Sequence, residues 1–323
     1  SNTSTGNALR HKHNLKENIR EANHFYNIGP VTQNNLNNVK TSIPKHVLTV
    51  LTGVAGSGKS TLVKAGFENN DHTIFIDQKA VQGSNRSNLL TYLGVFDSVR
   101  SFFSKETGLN KAMFSYNSKG ACPNCGGKGY IKTELAFMGD FSQTCEVCHG
   151  KRYKQEVLDA TIDGYSIADV LDLTVDEGII FFDKKNDIKS KLQSVSKTGL
   201  NYMSLGQPLS TLSGGEIQRV KLAQHLDEEI KNSIFIFDEP TTGLHESDIP
   251  ILMECFDDLI DQNNTVILIE HNLSMMCEAD WIIDVGPGPG LDGGKVQFSG
   301  TPKNFIDSSE TLTSKHLKRY INQ

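Results

Sequence analysis

From position 25 onward the chain alternates short apolar runs with stretches of helical period. Runs at 25–31, 38–43 and 47–52, punctuated by Asn and Pro, read as an antiparallel sheet leading into a buried strand. Those at 73–77, 233–238, 265–270 and 281–285 are apolar without alternation, the mark of strands buried on both faces of a parallel sheet. Helical patterns separate several of them, so the expected fold class is α/β: a mixed sheet with flanking helices plus an antiparallel β subdomain. Between the runs at 73–77 and 233–238 lie about 155 residues, far more than a loop supplies, which requires an inserted domain. The expected division is a discontinuous core at 23–85 and 205–323 and an insertion at 86–204. Residues 1–22 are polar, without apolar period, and read as a flexible tail or appended remnant.

At 323 residues the length suits two modest domains. No apolar run reaches the 18 or so residues of a membrane span and no signal peptide is recognisable, so a cytoplasmic protein without a membrane partner is expected. Net charge is −6, which speaks against a protein that simply coats nucleic acid. The average conceals a division: residues 86–154 hold ten Lys and Arg against five Asp and Glu, a balance of +5, leaving −11 elsewhere.

The segment Gly53-Val54-Ala55-Gly56-Ser57-Gly58-Lys59-Ser60, followed by Thr61, matches the pattern of a phosphate-binding loop between a strand and a helix. Glycines let backbone N–H groups curl around phosphate oxygens, and the helix N-terminus adds partial positive charge. Lys59 is suited to the β and γ phosphates of ATP, and the Ser60 hydroxyl to Mg²⁺. Gln78, just past a strand end, either ligates Mg²⁺, holds an attacking water or caps the strand. Asp238 and Glu239 close another strand at the sheet edge where α/β proteins bind ligands. Asp238 suits the surroundings of Mg²⁺, and Glu239 is placed to polarise water. His271, at a further strand end, fits a γ-phosphate sensor. Ser213, Gly214 and Gly215 precede an amphipathic stretch, with Ser213 as a candidate N-cap and the two glycines offering N–H groups to an anion.

In that order the phosphate loop, Gln78, Leu212-Ser213-Gly214-Gly215-Glu216, Asp238-Glu239 and His271 resemble the ATP-binding cassette (ABC) superfamily. The resemblance implies that the signature at Ser213–215 closes over ATP held by a second, facing cassette, so that one cassette is half of an ATPase.

Four of the six cysteines form two pairs, Cys122 with Cys125 and Cys145 with Cys148, separated by nineteen residues. This is the spacing of a tetrahedral four-thiolate Zn²⁺ site, expected as a module over 119–154 with a strand at 130–137 between the knuckles. Four protein ligands leave no open position, so the zinc is expected to be structural; His149 reads as a bystander. Cys255 and Cys277 read as core residues.

A cassette with a four-cysteine module inserted between glutamine and signature looks like the UvrA family of the ABC-type excinuclease system. The stretches NNLNNVKTSIP, TGVAGSGKSTL, CHGKRY, STLSGGEIQRVKLA, DEPTTGLH and IEHNL carry that resemblance, and the wording is similar to the C-terminal of that family's two cassettes. It implies an ABC-type ATPase cassette with an inserted zinc-binding α+β signature domain, acting in damage recognition for nucleotide excision repair and not itself a nuclease. Implied partners are damaged double-stranded DNA, a second cassette from the N-terminal half or a homodimer, and a UvrB-type protein. DNA-facing candidates are Arg86, Arg100, Lys105, Lys111, Lys119, Lys132, Lys151 and Arg152, whose phosphate contacts are sequence-blind. Two departures stand out: the segment before the first cysteine pair is short and weakly basic, and Ala55 resembles shorter UvrA-like paralogues, some associated with drug resistance. Competing readings are such a paralogue, the nucleotide-binding subunit of a transporter, and a regulatory cassette that binds ATP without turning it over.

Overall fold

A computed structural model describes residues 14–79, 87–135 and 139–322. The chain divides into two compact units, one formed up to Lys79 and again from Gly214, the other from the residues between. Strands follow in chain order. β1 (Phe25–Gln33) and β2 (Leu36–Pro44) pair as an antiparallel hairpin, and β3 (Leu48–Gly53) and β4 (Thr73–Ile76) enter the main sheet. β5 (Tyr130–Leu135), β6 (Gly139–Thr144), β7 (Thr161–Ile162) and β8 (Tyr165–Ser166) lie in the second unit, and β9 (Ile234–Asp238), β10 (Thr265–Ile269), β11 (Trp281–Gly286) and β12 (Lys295–Gly300) complete the main sheet.

The main sheet has the order β12-β11-β3-β10-β9-β4, parallel throughout except where β12 runs antiparallel against β11. Both faces are covered, which explains the unbroken apolar runs. Leu48, Val50, Phe235, Phe237, Val266 and Leu268 pack on one side with the helix Ile249–Asp261. Their alternate neighbours Leu51, Ile234, Ile236, Ile267 and Ile269 pack on the other with the hairpin and the helix Lys59–Phe67. Successive side chains of a strand point to opposite faces, so a strand covered twice needs apolar residues at every position. The apolar pattern does not announce β12; its alternating exposed and half-buried residues give it no continuous apolar run.

Residues 14–22 differ from the tail expected there. Leu15 packs against the core, the Lys16 amide donates to the Cys277 carbonyl at 2.8 Å, and the Arg20 amide donates to Asp280 Oδ1 at 3.0 Å. The physical reason is Asp280, a carboxylate only 1% exposed. It accepts from the Leu48 amide at 2.9 Å and pairs with Lys16 at 3.3 Å and Arg20 at 3.4 Å. Two cations compensate a buried anion that would otherwise be costly.

The second unit gathers the helices Phe96–Thr107, Ile167–Asp172, Val175–Phe181 and Asn186–Lys197 around Val99, Phe103, Phe114, Tyr116, Tyr153, Phe182 and Leu192, all buried. Ser166 with Asp169 and Thr174 with Glu177 form reciprocal capping boxes, each satisfying two otherwise orphaned N–H groups. The unit ends at Ser213, not at 204 as expected. Residues beyond 204 pair inside it: the Leu205 amide donates to Leu173 at 2.8 Å, the Leu209 amide to Ser87 at 3.1 Å, and Pro208 bridges Asn88. The strand expected at 130–137 is found as β5 over Tyr130–Leu135, with 136 and 137 outside the described residues, and it pairs antiparallel with β6, which the sequence did not announce.

Candidate nucleotide and metal sites

β3 ends in Gly53, where a side chain cannot fit: a Cβ would lie 1.9 Å from the Val285 carbonyl oxygen, at φ +130°. Gly58, at φ +102°, begins the helix Lys59–Phe67. Only glycine takes this path cheaply. Asn35 braces the loop by donating to the carbonyls of Gly56 at 3.3 Å and Gly290 at 3.1 Å. The Gly294 amide donates to the carbonyl of the buried Ser57 at 2.9 Å.

Gly56, Gly58, Lys59, Ser60 and Thr61 line a cavity of about 270 Å³ together with Glu239 and His271. A second cavity, of about 530 Å³, is lined by Ser60, Lys64, Asp77, Gln78, Lys79, Asp238 and Glu239. Ser60 and Glu239 belong to both. Sequence-predicted residues from four strand ends thus converge. Gly214 and Gly215 line neither cavity: a Cβ on Gly214 would lie 2.9 Å from Gln78 Oε1, and one on Gly215 would lie 2.7 Å from the Thr242 carbonyl. The helix Gly214–Leu226 begins directly after Ser213.

The Lys59 ammonium is buried and donates to the carbonyls of Gly53 at 3.0 Å and Val54 at 2.9 Å. Burial pushes its pKa below the usual lysine value, against the attraction of Glu239, Asp284 and Asp238. Glu239 sits at φ +51°, in the left-handed region that a non-glycine residue occupies at a cost and that recurs at functional sites. Its Oε1 is 3.9 Å from His271 Nε2, beyond a direct hydrogen bond and close enough for one atom to bridge. Burial, then the nearby Lys59 charge, lowers the His271 pKa, which favours a neutral imidazole. Gln78 Nε2 donates to the Glu239 carbonyl at 3.1 Å, and Asp238 lies 3.9 Å from the Lys64 ammonium. Ser60, Gln78 and Asp238 supply the oxygen donors that Mg²⁺ prefers, and the donor set fits that ion.

Sequence reasoning missed the residues beneath this layer. Gln218 is buried, and its Nε2 donates to the carbonyls of Ile76 at 2.8 Å and Asp238 at 3.0 Å. Lys221 donates to the Asp77 carboxylate at 2.8 Å, and to the carbonyls of Asp77 at 2.9 Å and Lys79 at 3.0 Å. Burial works to raise the Asp77 carboxyl, and Lys221 overrides it and holds it below the usual carboxylate range. The available signal was Gln218 itself, a polar residue flanked on its helix by the buried Ile217 and Val220.

In the second unit the ligand atoms of Cys122, Cys125, Cys145 and Cys148 all lie within 4.8 Å of one another, and all four residues are buried. Sγ atoms approach to 3.9 Å between Cys122 and Cys145 and to 3.7 Å between Cys125 and Cys148. Asn124 Nδ2 donates to the Cys145 sulfur at 3.3 Å, and the Gly129 amide to the Cys125 sulfur at 3.2 Å. The Asn124 contact, helped by backbone donors, brings the Cys145 thiol down to about 6, while burial pushes Cys148 up to about 12. N–H donors aimed at sulfur suit thiolates, and four clustered thiolates fit a tetrahedral cation. His149 is exposed and is not one of the clustered residues. Cys255 and Cys277 are buried in the core of the first unit.

Of the basic candidates, Arg86 lies outside the described residues. Arg100 and Lys111 both pair with Asp97, and Lys151 pairs with Asp169 at 2.7 Å. Arg152 lies over the Tyr116 ring, 5.3 Å from its centroid. Lys105, Lys119 and Lys132 are exposed. No helix among the described residues is long and apolar enough to cross a membrane.

A family model described as "ABC transporter" matches residues 36–242. "UvrABC system protein A" of Clostridium perfringens (strain 13 / Type A) is 42% identical over 339 residues, covering 95% of this chain and 36% of that protein. The protein of the same name from Bacillus subtilis (strain 168) is 42% identical over 328 residues, covering 92% of this chain and 34% of that protein. The crystal structure of UvrA2 from Deinococcus radiodurans superposes with a TM-score of 0.89 at 38% identity, covering 98% of this chain and 42% of that one. The chain spans about a third of the length of the curated relatives it matches.

Proposed function

Because the chain belongs to the ATP-binding cassette family and is UvrA-like within it, we propose that it is an ATP-hydrolysing, DNA-binding cassette acting in damage recognition for nucleotide excision repair. The observation that carries the reading is the cavity that Gly56, Gly58, Lys59, Ser60 and Thr61 line together with Glu239 and His271. ATP is held through Lys59 and the backbone of Gly53–Gly58, Ser57 included, with Thr61 in the first turn of the helix that follows. Mg²⁺ is held by Ser60, with Gln78 and Asp238, and when bound it neutralises charge developing on the phosphates.

Glu239 orients the attacking water and takes its proton. His271, neutral and 3.9 Å away, reports the γ-phosphate by hydrogen bonding. Ser213, Gly214 and Gly215 act in trans, closing over ATP in a second cassette, either an N-terminal half or another copy. In support of this, Gly214 and Gly215 pack against Gln78 and Thr242 rather than lining the cavity of their own chain.

Zn²⁺ is the ion proposed for Cys122, Cys125, Cys145 and Cys148, holding the hairpin of β5 and β6 as a structural element. Duplex DNA is gripped through the positively charged segment that carries this module. Lys105 and Lys119, both exposed, are its foremost contacts, since Arg100, Lys111 and Lys151 already face carboxylates; Lys132, on β5, is a further one. Those internal pairs, with Ala55, favour as the second reading a UvrA-like paralogue with a weaker hold on DNA, of the kind associated with drug resistance. A UvrB-type partner and a cytoplasmic location belong to the first reading.

The test compares wild type with Glu239→Gln for ATP turnover and for retention of bound nucleotide. Turnover falling at least about 100-fold, with ATP still bound, is expected for loss of a group acting on the attacking water. Unchanged turnover would favour a regulatory cassette in its place.

A further inference from the structure

Glu270 is buried, 3% exposed, at the junction between β10 and the loop carrying His271. A carboxylate offers about four acceptor positions, and here four donors occupy it. Oε1 accepts from the Thr241 amide at 2.9 Å and the Thr241 hydroxyl at 2.5 Å. Oε2 accepts from the His271 amide at 2.7 Å and the Asn272 amide at 3.0 Å. Each oxygen therefore serves a different loop. Thr241 lies two residues beyond Glu239, in the turn leaving β9; His271 and Asn272 open the loop after β10. The Glu270 amide itself donates to Leu51 at 3.1 Å, fixing the carboxylate to the strand that leads into the phosphate loop.

From this arrangement we propose that Glu270 is a positioning residue, a clamp that sets the distance between Glu239 and His271 by holding both loops on one carboxylate. It lines neither cavity, so it acts through the residues it holds. The inference rests on the proposed roles of Glu239 and His271, but the clamp itself is a property of the fold and is measurable without turnover. Glu239 occupies a backbone conformation that persists only when its surroundings enforce it. The paired hydrogen bonds from Thr241 to Glu270 supply that enforcement two residues downstream. A neutral amide at this position offers one oxygen and turns an N–H₂ group toward the other loop, so Glu270→Gln keeps the shape, releases one side outright and, with the clamp open, loosens the other.

The experiment measures amide hydrogen exchange and ATP turnover on the same proteins. In Glu270→Gln, exchange at Thr241, His271 and Asn272 rises by about tenfold or more, as expected when hydrogen bonds to a charged acceptor are lost, while the Leu62 amide, bonded to Gly58, keeps its protection. For turnover, kcat falls by about tenfold with KM for ATP changed less than about twofold, the pattern of lost transition-state alignment.

Thr241→Val provides a second approach should Glu270→Gln fail to fold: it removes the hydroxyl from one loop and raises exchange at His271 and Asn272 in the other. Its effect on kcat is smaller in the Glu270→Gln background than alone. Exchange confined to the loop that was altered, or a raised KM with kcat retained, would overturn the clamp. If the wild type shows no ATP turnover, the functional reading fails, and exchange across the two loops still decides whether the clamp exists.

Discussion

Gln218 donates from Nε2 to the carbonyl of Asp238 at 3.0 Å while the same nitrogen reaches Ile76 at 2.8 Å. One side chain on the helix Gly214–Leu226 thereby ties together the ends of β4 and β9, which lead to Gln78 and Glu239. Lys221, one turn further along, repeats the attachment at Asp77. Whatever moves this helix moves the edge of the sheet that carries the proposed hydrolytic residues.

Replacing Gln218 by Leu removes this donor from one buried and one half-buried carbonyl. The expected cost is about 1–3 kcal/mol of stability, the usual penalty for unsatisfied buried polar groups. Chemical denaturation checks the stability, and ATP turnover is expected to fall further than nucleotide affinity in the same variant.

Asp280 supports a second set of contacts, to Leu48, Lys16 and Arg20. Asp280→Ala is expected to destabilise the first unit by about 3 kcal/mol, as when one partner of a buried ion pair is removed. Thermal unfolding measures the loss, and hydrogen exchange across residues 14–22 is expected to rise, because Asp280 supplies several of the contacts that hold that stretch.

His271 carries a pH signature with a definite sign. Its folded pKa lies below the ordinary value of 6.5, lowered by burial and by Lys59. As pH falls through 6.5 the unfolded chain takes up the proton first, so stability present above that value is lost as pH falls toward the folded pKa. Between neutral pH and the acid side, wild type is therefore expected to lose more stability than His271→Asn, as measured by denaturant midpoints across that range.

The four-cysteine cluster predicts one Zn²⁺ per chain, bound by Cys122, Cys125, Cys145 and Cys148. Cys145→Ser is expected to abolish stoichiometric zinc by elemental analysis and to expose β5 and β6 to exchange.

Much of the site is legible in the sequence for a physical reason. Gly53–Ser60, Asp238, Glu239 and His271 stand out because the proposed phosphate chemistry tolerates few residue types, and the four cysteines because their paired spacing suits a metal ion. Doubly buried strands are equally plain, since Leu48–Gly53 and Thr265–Ile269 are buried at every position where both faces are covered. β12 escapes because only one of its six residues is buried. Glu270, Gln218 and Asp280 escape because a buried polar residue looks in sequence like a solvated one until its partners, 29, 20 and 232 positions away for Thr241, Asp238 and Leu48, are brought to it. The tail expected at 1–22 fails over 14–22 for the same reason: Lys16 and Arg20 are polar, and what they neutralise is far off in sequence.

On the proposed reading, closure over ATP moves the unit that carries the four clustered cysteines and so couples nucleotide binding to a grip on damaged duplex DNA. The most direct measurement is binding of this chain to a lesion-bearing duplex and its undamaged counterpart, with and without ATP, across a salt series, beside the variant Lys105→Glu/Lys119→Glu. Affinity is expected to fall steeply with salt, to depend on ATP, to favour the damaged duplex and to drop at least about tenfold in the variant, as loss of phosphate contacts requires. No duplex binding at low salt, or binding indifferent to ATP and unchanged in the variant, would contradict it.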